Sequence, residues 1–176
     1  MTIYAGLTVF NGWNTYTSQT VINGGALDGT LNPGTNRPGT PDYAHTDGAL
    51  EVTGANSLPT FSNLNFSGPG KYTGGVLQLS GDFTRFVNSS PNPAGGSNPG
   101  GPFDAVHWTG SGGFAAIDAP LTVTLNRDAA PLVWGANGFV PFGYSLIFGS
   151  VNSNDMVTFT NAVSYTHLTL PTILRV

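Results

Sequence analysis

The chain has 176 residues, of which 39% are hydrophobic and only 8% are Asp, Glu, Lys or Arg. Five basic residues against nine acidic ones exclude a nucleic-acid binder, which needs a Lys/Arg stripe to neutralise phosphates. The scarcity of charged side chains also excludes a helix bundle, whose solvent faces are built from Lys, Glu and Arg, and the absence of cysteine removes disulfide scaffolds and thiolate metal sites. No apolar run approaches the roughly 20 residues that a membrane-spanning helix needs.

In chain order the predicted strands are 7–10, 20–22, 49–52, 63–66, 76–79, 83–87, 105–108, 121–125, 132–134, 145–148 and 156–160. Each is a short apolar, β-branched or aromatic run between turn clusters, and no helical period intervenes. Leu121-Thr122-Val123-Thr124-Leu125 alternates, with apolar residues on one face and threonines on the other. Asn11-Gly12, Asn23-Gly24, Pro33-Gly34, Pro69-Gly70, Gly74-Gly75 and Asn137-Gly138 supply the reversals, because Gly and Asn tolerate positive φ. Residues 28–41 and 88–102 are Pro/Gly/Asn-rich and predict exposed loop insertions, with no shift of composition to mark a domain boundary.

The ends set the expected limits of the domain. Met1 to Gly6 hold no basic residue and run directly into a strand-like segment, unlike a secretory n-region. Either the protein is not exported or its true N-terminus lies upstream. Val163-Ser164-Tyr165-Thr166-His167-Leu168-Thr169-Leu170-Pro171-Thr172 resembles the conceptual translation of a transposon-type sequencing-library adapter. Residues 163–176 are therefore expected to be an artefactual tail, and 1–162 a repeat region cut from a longer chain.

Internal similarity gives the architecture. Phe10-Asn11-Gly12-Trp13-Asn14-Thr15-Tyr16-Thr17 and Phe66-Ser67-Gly68-Pro69-Gly70-Lys71-Tyr72-Thr73 share the pattern F-x-G-x-x-x-Y-T. Val106-His107-Trp108-Thr109-Gly110 is echoed by Leu132-Val133-Trp134-Gly135, each followed by a Gly-Phe pair. A unit of strand, glycine turn, aromatic and strand cannot bury both its faces alone, so copies must stack. The expected fold is all-β, a right-handed parallel β-helix or β-solenoid with rungs of roughly 20–25 residues. Charge depletion fits, since stacked like charges repel while Thr, Asn and Ser ladders hydrogen-bond.

The stretch from Leu7 to Leu27 resembles the autotransporter-associated β-strand repeat. From Gly12 to Leu27 it departs from that pattern only at Ser18, where the family has glycine. At the front end the fit is poorer, with Thr8 on the leading Leu and Phe10 on the Val/Leu position. The copy from Leu64 to Leu79 is degenerate. The resemblance implies a β-helical passenger or stalk segment of a large bacterial protein, secreted or held at the cell surface or outer membrane. It implies no catalytic residues.

Candidate chemistry is sparse. Asp42, His45 and Asp47 cluster beside a Pro/Gly-rich segment and read as polar loop residues rather than as metal ligands. Asp104 and His107 stand three apart, which on a strand puts them on opposite faces. Asp82, Asp118 and Asp128 are scattered, without the paired-carboxylate spacing of glycan hydrolysis. No nucleophile elbow, zinc-helix or phosphate-loop motif occurs. The expectation is thus no enzyme activity, no cofactor and no metal. Trp13, Tyr16, Tyr72, Trp108 and Trp134 could together form a strip that stacks on sugar rings. Partners would then be surface glycans or components of host or neighbouring cells, with no nucleic acid, and with membrane contact only through anchor domains outside the sequence. A structural or adhesive stalk is the leading expectation; the alternative is a carbohydrate-binding β-helix related to polysaccharide-active enzymes.

Overall fold

The computed structural model describes residues 1–3, 7–10, 19–23, 49–52, 58, 63–70, 74–87, 105–126, 129–150 and 152–165. These form β1 (Thr2–Ile3), β2 (Leu7–Phe10), β3 (Thr20–Ile22), β4 (Ala49–Val52), β5 (Leu64–Phe66), β6 (Gly75–Val87) and β7 (Ala105–Trp108). They continue with β8 (Gly112–Leu125), β9 (Leu132–Val133), β10 (Leu146–Phe148), β11 (Val157–Phe159) and β12 (Val163–Ser164). The described elements are all strands.

Every ladder between these strands is parallel, and the sheet they build curls into a half-barrel. One column runs β1-β3-β5-β7 and a second runs β2-β4-β6-β8-β10. The far half of β8 pairs with the far half of β6 and with β11, while β9 pairs with β12. The chain therefore revisits each column at successive levels: β1–β2, β3–β4, β5–β6, β7–β9 and β10–β12.

Level spacing differs from expectation. Register partners in the second column are Leu7, Ala49, Val76, Gly113 and Ile147, separations of 42, 27, 37 and 34 residues rather than 20–25. Long connections carry the excess, because the ladder needs only the strands themselves to repeat. The F-x-G-x-x-x-Y-T echo also does not mark equivalent positions. Phe10 sits in the second column opposite Val52, whereas Phe66 sits in the first between Ile22 and Trp108.

Two strands are longer than predicted. Segments 76–79 and 83–87 join as β6, with a register shift between Leu79 and Gly81 where Gly81 adopts φ +81°. Likewise 121–125 extends back to Gly112, turning at Asp118 with φ +64°. Both points are corners at which one continuous strand passes from the second column into a third, formed by the far halves of β6 and β8 with β11. β1 and β12 were not predicted. β12 falls inside the segment expected to be adapter-derived, and its pairing with β9 uses main-chain groups that any sequence carries.

Register aligns the interior. Leu50, Leu77 and Phe114 are consecutive partners and all are fully buried. Ile22, Phe66 and Trp108 are likewise consecutive partners in the first column, and all three are buried. Each such side chain contributes about 1.5–3 kcal/mol of burial. Glycine is required where levels touch most closely: a Cβ at Gly113 would overlap the Ile147 carbonyl, and one at Gly110 the Gly68 carbonyl.

Asparagine serves the main chain between levels. The Ala105 N–H donates to Asn63 Oδ1 at 3.1 Å, the Val87 N–H to Asn126 Oδ1 at 2.9 Å and the Leu125 N–H to Asn161 Oδ1 at 2.7 Å. Asn161 Nδ2 in turn donates to the Leu125 and Ala130 carbonyls at 2.8 and 2.9 Å. Thr160 and Thr124 hydroxyls meet across one level at 2.9 Å. Neutral side chains thus fill the role that paired charges take elsewhere.

Candidate functional site

The aromatic residues were the strongest candidates for ligand contact. Trp13, Tyr16 and Tyr72 lie outside the described residues. Trp108 is described, and its placement corrects its assignment to a sugar-stacking strip. It alternates with His107 along β7, and Val106 and Trp108 share the face that packs into the core. Only 3% of Trp108 is exposed. Phe66 lies against it at 5.1 Å with rings tilted by 31°, and Phe114 and Phe139 approach edge-on at 6.2 and 5.2 Å. The indole N–H donates to the Gly112 carbonyl at 3.0 Å. With three aromatic neighbours, a bonded N–H and almost no exposed surface, Trp108 presents no open face to a sugar.

Trp134 is half-buried just beyond β9. Its ring meets the edge of Phe139 at 5.7 Å and stacks on Tyr165 at 4.9 Å, with the planes 21° apart. Trp108 and Trp134 are therefore joined through Phe139, the first enclosed in the core and the second half-buried against it.

Among carboxylates, Asp82, Asp118 and Asp155 are exposed. Asp118 has its N–H held by Asn154 Oδ1 at 2.8 Å. Asp42, His45, Asp47, Asp104 and Asp128 lie outside the described residues. No group of three or more His, Asp or Glu gathers among the described residues.

The burial of two polar side chains, His107 and Gln78, was not foreseen from the sequence. His107 stands beside its register partner Asn65, on the strand face opposite Trp108. It is 6% exposed and its Nδ1 has no hydrogen-bond partner. Burial pushes its pKa down to about 4, opposed by a hydrogen bond to the Leu64 main chain. The ring is thus neutral at ordinary pH. Gln78, fully buried on β6, accepts from Ser150 Oγ at 3.0 Å through Oε1 and leaves Nε2 unpaired. Alternation in Val76-Leu77-Gln78-Leu79 reveals that Gln78 faces away from Leu77, but not that chain from the fifth level covers it.

The Ser111 and Thr109 hydroxyls are committed to structure. Ser111 Oγ donates to the Gly70 carbonyl at 2.6 Å and accepts the Ser145 N–H at 3.0 Å. Thr109 Oγ1 is bonded to Asn65 Oδ1 at 3.1 Å. These contacts tie one level to another. Chemically the arrangement offers neutral hydrogen bonding and aromatic packing.

No family model matches the chain, and no curated protein or solved structure does so either.

Proposed function

We propose that the chain is a structural or adhesive stalk segment of a large bacterial extracellular or cell-surface repeat protein, folded as a right-handed parallel β-helix. The observation that carries this reading is the run of in-register parallel ladders from β2 through β10. A rod built this way has neighbouring levels as its main contacts, so it extends without changing its cross-section. Support also comes from the Asn and Thr contacts between levels and from the resemblance of residues 7–27 to the autotransporter-associated repeat. The mechanism is mechanical: backbone ladders and stacked side chains hold a spacer that displays other modules. Enclosure of Trp108 removes a central member of the carbohydrate-binding alternative.

The test is surface labelling. Antibodies raised against the purified chain should stain intact cells of its source organism, and brief protease treatment of those cells should abolish the signal. Staining that appears only after cell lysis would overturn the proposal.

A further inference from the structure

The outward face of the third column repeats one side chain in two directions. Asp82 and Thr84 flank the buried Phe83, Thr122 and Thr124 flank the buried Val123, and Thr158 and Thr160 flank the half-buried Phe159. Asp82 pairs with Thr122, and Thr122 with Thr158. Thr84 pairs with Thr124, whose hydroxyl meets that of Thr160 at 2.9 Å. Two files thus climb the stack side by side, threonine at every position except Asp82. Outward positions elsewhere carry no such repeat. Val9, Glu51, Gln78 and Ala115 follow one another in the second column, and Val21, Asn65 and His107 in the first.

This array faces solvent. Asp82, Thr84, Thr158 and Thr160 are exposed, and Thr122 and Thr124 are half-buried. Backbone geometry sets the spacing: levels stand about 4.8 Å apart, and residues i and i+2 of one strand about 6.6 Å apart. Branching at Cβ leaves each threonine few rotamers, and the apolar residues between them anchor the strands, so little freedom remains to be lost on binding. A ligand that answers such an array must itself repeat in two directions. A single sugar or a peptide does not. Water oxygens on the prism face of hexagonal ice form a rectangular net with repeats close to these two. Lysine-rich surfaces are unsuited to that net because an ammonium holds its hydration firmly, and this face has no Lys or Arg among its six side chains.

We infer that the third column binds the surface of ice. Threonine hydroxyls take the place of lattice oxygens, and the methyl groups beside them release water on contact. This inference goes beyond the stalk proposal and does not depend on it.

Growth of a single ice crystal in a solution of the purified full chain, followed by nanolitre osmometry, tests it. The expected result is a gap between melting and freezing points that widens with protein concentration, with flat facets on the crystal. Thr122→Lys/Thr158→Lys should lose the gap while keeping its β-sheet circular dichroism. Asp82→Thr completes the array and should widen the gap, and Val9→Lys, on the second column, should leave it unchanged. If the double variant loses its β signal, Thr84→Lys, at an exposed side chain, replaces it, with a partial loss expected. A wild-type gap no wider than that of serum albumin at equal mass, or a wild-type gap in a folded threonine variant, would overturn the inference. Retention on microcrystalline cellulose or chitin without any freezing gap would also overturn it, assigning the array to a crystalline polysaccharide.

Discussion

His107 shows how one covered side chain makes the fold respond to pH. Its folded pKa of about 4 lies below the ordinary 6.5 because burial penalises the imidazolium. The unfolded chain therefore binds a proton more readily than the folded one between those values. Its contribution to stability is whole above pH 6.5, falls as pH drops, and is lost once pH passes about 4. The shift corresponds to roughly 3 kcal/mol at most. Thermal unfolding of wild type should show a midpoint that declines from pH 6.5 to pH 4, and His107→Asn should flatten that decline. Equal slopes in the two proteins would mean that His107 is not the group responsible. In the sequence, His107 drew notice only for its spacing from Asp104. Strand parity puts His107 and Trp108 on opposite faces but does not say which face is inside. The enclosure of Trp108 was not legible for that reason, since a tryptophan flanked by His and Thr carries no mark of its being packed against Phe66, Phe114 and Phe139.

At the scale of elements, Asn161 ties the end of β11 to the end of β8. It accepts from Leu125 N–H and donates to two carbonyls, and it is buried. Asn161→Ala would leave one N–H and two C=O groups without these partners, at about 1–3 kcal/mol for such an orphaned group. Asn161→Asp should lose nearly as much, because it keeps the acceptor and discards both donors. Urea unfolding of the three proteins gives the ranking, and a fully stable Asp variant would assign the stability to the Leu125 N–H bond alone. Most strands were legible because alternation and glycine punctuation act locally: β2, β3, β4 and β7 lie where the pattern puts them. Gly112 and Gly113 were not legible as strand. Their missing side chains read as a turn, whereas they are needed in the ladder because Phe66 and Ile147 press on them. The corners at Gly81 and Asp118 escaped for a related reason, since a bend within a strand and a turn between strands use the same residue types.

For the whole molecule, stacking makes stability depend on level. In a solenoid-like array each level contacts its neighbours above and below, so an inner level is held from both sides and the last from one. Leu77 lies between Leu50 and Phe114 with no exposure, and Leu77→Ala should cost about 2–5 kcal/mol. Removing it weakens the packing of the levels on both sides at once, so amide exchange should accelerate from β4 through β8. Among the described strands, Val157 pairs only with the fourth level, through Leu121. Val157→Ala should cost less than about 1.5 kcal/mol, since the side chain is only partly removed from water. Its effect on exchange should be confined to β10, β11 and β12, which open without the rest. Measured at a concentration where the chain is monomeric, the two exchange maps would separate a stacked array from a single cooperative core. In the latter, Val157→Ala would accelerate the slowest amides of β6 and β8 in step with global stability.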